Sequence, residues 1–254
     1  MPVPLILSSQ TRGQLRVHCA TELARFGVDA IITDRQGGVS AGNYESLNLA
    51  LHVGDDEDDV RENRSRVAAA LGVKEDHLIF ADQVHGDRIA DARTGAPVEQ
   101  ADGLFSSRSD LALAILVADC VPVLLVDERS PGFAVVHAGW RGLRGDVLKN
   151  AVDRFSEPAS VHALLGPSIS VRRYQVGPEV ADNFRDLPGV VHADRGDRSL
   201  LDLRLTAALL LVGLGLRDEH VGVCIEDTDD ATTYYSARAE QPSGRFALVA
   251  RRSA

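Results

Sequence analysis

Aromatic residues make up only 5% of the 254-residue chain, with a single Trp and a single Met. A core built on ring stacking is therefore excluded, and packing must rest on Leu, Val, Ile and Ala. Cysteine is scarce as well. Cys19, Cys120 and Cys224 are odd in number, widely spaced and without a Cys-x-x-Cys pair, which excludes a disulfide scaffold, a zinc knuckle and a dithiol redox motif. No uninterrupted apolar run approaches the ~20 residues that span a bilayer, so no membrane partner is expected. The opening MPVPLILSSQTRGQ has no basic segment followed by an apolar stretch and a small-residue cleavage site, so no secretory signal is expected and the compartment expected is a reducing cytoplasm. Positive charge is in deficit: 27 Lys and Arg stand against 37 Asp and Glu, a net charge of −10. Nucleic acid is thereby excluded as the main partner, because its binding scales with clustered cations. A small anion remains compatible, since a few local Arg side chains and backbone N–H groups suffice to hold one.

What the chain does have is 44% hydrophobic residues, enough to bury a substantial core in one domain over residues 1–254. From Asp58 to Leu71, Val60, Arg64, Val67, Ala68 and Leu71 fall on one helical face, with acidic residues at the start and Gly72 placed to end the helix. Short apolar runs at 111–117, 121–127, 133–137 and 161–165 read as strands covered on both faces. Helices are expected at 143–155, 179–184 and 203–214, and further strands at 221–225 and 246–250. Several strands follow one another with no helix between, which argues for an α/β (α+β) mixed-sheet sandwich covered by helices over a doubly wound parallel sheet. Segments 37–43, 93–102 and 226–245 are rich in Gly, Ser, Asp and Thr and read as loops, where sites usually lie.

Three apolar strands end on a side chain able to bind a metal: His85 in DQVHG, Cys120 in VADC and His137 in VVHAGWRG. Strand ends converge on one rim of a sheet. Two imidazoles and a thiolate suit Zn²⁺, and three protein ligands leave a fourth tetrahedral position for water or substrate. Taken singly, a cysteine is as readily a buried hydrophobe and a histidine a hydrogen-bonded core residue. The polar and small neighbours Gln83, Gly86, Asp87, Asp119, Ala138 and Gly139 favour the joint reading. Cys19 and Cys224 read as small buried hydrophobes and His52 as a loop packing residue.

The ordered series TDRQGGVSAGNYESLNLALHVGDD, ADQVHG, ADG, VADCVPVLL, HAGWRG, LGPSI and YQVGPEV resembles the laccase-domain, YfiH-type family of purine nucleoside phosphorylases, over most of the chain from Ile31 onward. The resemblance implies a single α/β/β/α-type sandwich and a zinc centre on His85, Cys120 and His137. It also implies phosphorolysis of adenosine, inosine, guanosine and methylthioadenosine, and hydrolytic deamination of adenosine. Some members of the family have been described as copper-dependent polyphenol oxidases, so copper is the alternative metal. The chain departs from the family pattern where Arg173 and Gln175 flank Tyr174, and near the C-terminus, where Cys224 has no adjacent Thr and the later blocks read Ser236-Ala237-Arg238 and Ser243-Gly244-Arg245.

Phosphorolysis needs a held phosphate, a stabilised oxocarbenium-like transition state and charge relief on the departing purine. Arg35 with Gly37 and Gly38 forms a candidate anion site, Asn48 a candidate ligand for phosphate or a sugar hydroxyl, and Arg141 a cation close to the second His ligand. The plainer alternatives are a tight turn at Gly37-Gly38 and guanidinium groups that are solvated or paired with nearby Asp. Deamination needs a group that moves protons, and Asp119, beside Cys120, is the candidate, with capping of backbone groups its alternative. A copper oxidase, a cysteine hydrolase using Cys120 as nucleophile and His137 as base, and a non-catalytic binding protein are the rival readings. Only eight His are present, with no His-x-His pair, which speaks against multicopper chemistry.

Overall fold

In the computed structural model, residues 2–94 and 97–253 are described. Two mixed sheets face each other, and each is covered on its outer face by helix. The seven-stranded sheet runs in the order Val3–Leu5, Val221–Cys224, Val161–Leu165, Val121–Asp127, Phe133–Ala138, Gly103–Ser106, Ile89–Asp91. The six-stranded sheet runs Ser8–Arg12, Leu15–Cys19, Val28–Thr33, Phe246–Arg252, Ala112–Val117, Leu78–Phe80. A small three-stranded sheet of Gln175–Val176, Ser199–Leu201 and Val191–Ala193 lies apart from both.

The period-two alternation of strand side chains explains why the central strands are apolar throughout. Along Val121–Asp127, Val121, Val123 and Leu125 pack outward with Val147, Leu148 and Ala151 of the helix Val147–Val152 and with Ala207 and Leu211 of the helix Leu203–Gly213. Leu124 and Val126 point the other way, into the layer shared with Ile32, Leu113, Ile115 and Leu248 of the second sheet. That second sheet turns Ile31, Ala114 and Val249 outward onto Val67 and Leu71 of the helix Glu57–Leu71. The layers are therefore helix, sheet, sheet, helix, the sandwich expected from the sequence.

The helix Glu57–Leu71 keeps its expected ends: Asp56 caps it by accepting from the N–H groups of Asp58 and Asp59, and Gly72 closes it at φ 65°. One expected element is divided. Positions 143–155, read as a single helix, form Trp140–Arg144 and Val147–Val152 with a break at Gly145 and Asp146, the latter at φ 70°. Asp146 in the left-handed region breaks the helical path, a conformation that costs a non-glycine residue. The strands before residue 34 and those at Leu78–Phe80, Ile89–Asp91 and Gly103–Ser106 were not foreseen, because they are short or interrupted by polar residues. The expected loop 93–102 includes positions 95 and 96, which lie outside the described residues.

Candidate metal centre

Sheet register alone brings two of the three expected residues together. The strand Phe133–Ala138 pairs antiparallel with Val121–Asp127 so that His137 faces Pro122 and Ala138 faces Val121. Cys120 thus sits one step beyond the paired segment, beside His137. On the other side Val136 faces Gly103, which places Asp102 next to His137, and the His137 N–H donates to the Asp102 carbonyl at 2.7 Å. His85 comes from a loop. One ligand atom from each of His85, Cys120 and His137 lies within 4.8 Å of the others, and the two imidazoles meet edge to face at 86° with centroids 4.8 Å apart.

Asp102, which the sequence reading did not single out, builds the loop that carries His85. Its Oδ1 accepts from the His85 N–H at 3.0 Å and its Oδ2 from Val84 at 3.1 Å and Gly86 at 2.7 Å. These three bonds hold His85 at φ 59°, a conformation that costs a non-glycine residue roughly 1–3 kcal/mol and persists only where its surroundings impose it. Oδ1 also accepts from His137 Nδ1 at 2.8 Å, which keeps the Nδ1 proton in place and turns Nε2 toward the centre, the ligand atom once an ion displaces its proton. A carboxylate behind a metal-binding histidine fixes tautomer and ring orientation in this way. Gln83 anchors the start of the same loop, its amide donating to the Leu116 carbonyl at 2.7 Å and accepting from the Leu116 N–H at 2.8 Å. The available signal for Asp102 was an acidic residue directly before the Gly of ADG, at a strand start.

Gly139 keeps the space open. A Cβ there would lie 3.0 Å from Cys120 Sγ, 3.4 Å from His85 Cδ2 and 3.8 Å from His137 Cε1. Zinc–ligand bonds of about 2.0–2.3 Å give a tetrahedron with edges of about 3.3–3.6 Å, so three donors within 4.8 Å close on an ion with small side-chain shifts. The donor set and the empty wedge at Gly139 both fit zinc. Gly139→Ala is expected to weaken zinc binding at least tenfold while the protein stays folded, read by chelator competition and circular dichroism; unchanged affinity would show that the wedge is not needed.

Burial alone would raise the Cys120 thiol, but the charge of His137 and hydrogen bonds from His137 and His85 outweigh it and bring the thiol down to about 6. Burial likewise works against the His137 imidazolium, and the neighbouring Cys120 and the Asp102 carboxylate raise it above its ordinary value. In the metal-free protein the pair is thiolate and imidazolium near neutrality. Cys19 and Cys224 are both buried, and burial pushes both thiols up. At pH 7 iodoacetamide is therefore expected to label Cys120 selectively in metal-free protein, with a rate that falls as pH drops through about 6. An ordinary thiol loses its reactivity below about 8.5. Peptide mapping checks the site, and added zinc should block it.

The remaining expected residues occupy different surroundings. Arg35 spends its guanidinium on the Glu45 carbonyl, the Ala231 carbonyl and the Glu240 carboxylate, and lies over the ring of Tyr235. The neighbouring N–H groups of Gln36, Gly38 and Val39 are taken by Asp34, Ser46 and Asn63 side chains. Gly38 is required there because a Cβ would meet the Ser46 carbonyl at 2.1 Å. Asn48 is fully buried and bonds Ala50, Asp55 and the Arg245 N–H. In this structure the turn and its arginine close the loop layer, because their polar groups are already satisfied from within.

Asp119 lies at φ 88° with its carboxylate buried, accepting from Thr228 Oγ1 at 2.6 Å, Ser236 Oγ at 2.7 Å and the Arg238 N–H at 2.7 Å. It ties the loop 226–245 to the residue before Cys120. Arg173 and Gln175 meet Arg238 only through their carbonyls, so the departures at those side chains leave that contact intact. Arg141 is exposed, over the ring of Trp140.

Two partly buried guanidinium groups not foreseen share the surroundings of His52. Arg64, over the ring of Phe80, falls to about 10 through burial. Arg245 is lowered by burial and feels the charges of Cys120 and Asp119. Among the described residues neither has a carboxylate within ion-pairing distance. His52 is disfavoured as a cation by burial and by Arg245 and Arg64.

A family model described as multi-copper polyphenol oxidoreductase laccase matches residues 29–253. The chain belongs to this family. A purine nucleoside phosphorylase of Mycobacterium tuberculosis is 38% identical over 226 residues, covering 86% of this chain and 90% of that protein. The purine nucleoside phosphorylase YfiH of Escherichia coli K12 is 36% identical over 227 residues, covering 87% and 92%. Among solved structures, YfiH of Bacillus licheniformis superimposes with a TM-score of 0.90 at 29% identity, covering 96% of this chain and 99% of that one. YlmD of Geobacillus stearothermophilus gives the same score and identity over 99% and 100%.

Proposed function

We propose that this chain is a zinc-dependent purine nucleoside phosphorylase of the cytoplasm, one domain over residues 1–254, that cleaves adenosine, inosine, guanosine and methylthioadenosine and also deaminates adenosine. The meeting of His85, Cys120 and His137 within 4.8 Å carries the reading, and relatives of nearly full length that bear the phosphorylase name support it. The absence, among the described residues, of a helix long and apolar enough to cross a membrane is compatible with it. Zinc at such a site supplies Lewis-acid polarisation and the acidification of water.

The chain's own residues do the rest. His85, Cys120 and His137 hold the ion, and Asp102 orients His137. Anion binding falls to Arg141, Arg64 and Arg245, because a guanidinium without a carboxylate partner gains most from a phosphate. Arg35 and Asn48 hold the loops beside Arg245, Arg35 through the Glu45 and Ala231 carbonyls and Asn48 by accepting from the Arg245 N–H. Asp119 keeps Arg238 and the 226–245 loop over the site, a positioning role that its satisfied carboxylate supports better than proton transfer.

The test is an assay of purified protein on adenosine and inosine, with and without phosphate, beside metal analysis by mass spectrometry. Phosphate-dependent release of purine base that tracks zinc content supports the reading; full turnover in metal-free protein overturns it. The matched family's description favours one second reading, a copper-dependent polyphenol oxidase, which oxygen consumption on phenols with copper-loaded protein would reveal.

A further inference from the structure

A second cluster of metal-competent side chains lies at the other end of the strand that Cys120 precedes. Glu128 directly follows Val121–Asp127, so about eight residues of extended chain, roughly 25 Å, separate it from Cys120. The register explains the grouping. Val161–Leu165 pairs parallel with Val221–Cys224 so that Ala163 faces Val221, which sets His162 beside His220 one step earlier. Val161–Leu165 also pairs antiparallel with Val121–Asp127, His162 facing Val126. Two residues on, Glu128 points to the same face as Val126. Three neighbouring strands thus deliver two imidazoles and one carboxylate to a single corner of the sheet.

The side chains meet there. One ligand atom from each of Glu128, His162 and His220 lies within 4.8 Å of the others. His162 Nε2 is 3.1 Å from Glu128 Oε2, close to the edge of about 3.3 Å that a tetrahedral zinc site requires. The two imidazoles stack with centroids 3.7 Å apart and planes 22° from parallel, so one ring turns out of the stack to share an ion with the other, and His162 is backed by the Phe26 ring at 4.2 Å. His220 Nδ1 is buried with no hydrogen-bond partner. Buried polar atoms are nearly always satisfied, and this nitrogen has a ligand position to spare. A groove of about 650 Å³ lined by Glu128, Ser160 and Arg217 borders the carboxylate, and a pocket of about 190 Å³ lined by Phe26, His162 and His220 borders the imidazoles.

We propose that Glu128, His162 and His220 form a second metal site, specific for a divalent transition ion of the zinc class. Two imidazoles and one carboxylate are a known zinc donor set with a fourth position left to solvent, and without a thiolate the site holds zinc less tightly than the Cys120 centre. Arg25 acts on His162 and Arg217 on Glu128 electrostatically, which lowers its affinity further. The bound ion would fasten the ends of three strands already joined by their backbone ladders, adding to the stacked rings and the His162–Glu128 hydrogen bond.

The experiment counts zinc on the whole chain with the first centre disabled. Cys120→Ala protein, stripped by chelator, is equilibrated with zinc sulfate, freed of excess and analysed by mass spectrometry, with circular dichroism confirming the fold. One equivalent is expected, lost in Cys120→Ala combined with Glu128→Gln or with His220→Ala. Glu128 is exposed, so its substitution leaves packing untouched. Cobalt titration of unaltered protein separates the two centres independently: the first equivalent should bring a thiolate-to-cobalt absorption and the second only weak ligand-field bands. No zinc on Cys120→Ala protein, or zinc that survives both substitutions and is therefore adventitious, overturns the proposal.

Discussion

Replacing Cys120 or His137 by alanine is expected to lower kcat/KM for phosphorolysis and for adenosine deamination together, each by roughly a thousandfold or more, the equivalent of about 4 kcal/mol of lost transition-state stabilisation. The two reactions break different bonds, and a shared collapse follows only if both depend on the same ion. Each substitution removes one of three donors, and two remaining imidazoles, or one imidazole and a thiolate, hold zinc far less tightly than three ligands. Cys120→Ala is the cleaner variant, because Cys120 is partly exposed and lies outside the paired strands, so the fold loses little. The measurement is steady-state kinetics on adenosine and inosine at matched protein concentrations, with zinc content determined on the same samples. Loss of one activity with the other intact would show that the ion serves only one of them, and retention of both in zinc-free Cys120→Ala would sink the zinc mechanism.

That Cys120 and His137 meet was legible in the sequence because both stand at the ends of apolar runs that form adjacent strands, whereas His85 lies on a loop five residues past Leu78–Phe80. The buried strands were equally legible. Val121–Asp127 and Val161–Leu165 have the boundaries expected of them, since residues covered on both faces leave a continuous apolar signal. What the sequence concealed was of another kind. Asp102, Arg64 and Arg245 act through neighbours up to about 200 positions away: Arg245 donates its N–H to Asn48, and Asp102 reaches His137 only because Gly103 pairs with Val136. No local pattern encodes such a partner. Arg35 shows the converse case. An arginine before two glycines has the local look of an anion loop, yet its guanidinium is taken by Glu240 and Ala231, residues that only the closed fold brings beside it. The second cluster escaped for the same reason, His162 and His220 being 58 positions apart and neighbours solely through strand register.

Asp102 carries the other large prediction, because it serves the loop and the ligand at once. Its carboxylate is wholly buried and accepts from three backbone N–H groups and one imidazole. Asp102→Ala leaves those donors without an acceptor and His137 without its counter-charge, which should cost about 3 kcal/mol in the metal-free protein. Asp102→Asn keeps the shape but turns an N–H₂ group toward donors, so it should fold better and still weaken zinc binding by about 10- to 100-fold. The pH dependence has a fixed sign. Burial would raise this carboxyl, but the His137 hydrogen bond and the N–H groups of Gly86 and Val84 hold it below its ordinary value. A depressed carboxyl contributes stability that is complete above the unfolded value of about 3.9 and lost as pH falls through the folded one. The gap between unaltered protein and Asp102→Asn should therefore be constant from pH 5 to 7 in so far as Asp102 sets it, and should close only under stronger acid. Thermal denaturation of metal-free proteins across that range, with chelator competition at pH 7, measures both effects. Undiminished zinc affinity in Asp102→Asn would mean that His137 finds its orientation from packing alone, since the carboxylate is its only side-chain hydrogen-bond partner at Nδ1 among the described residues.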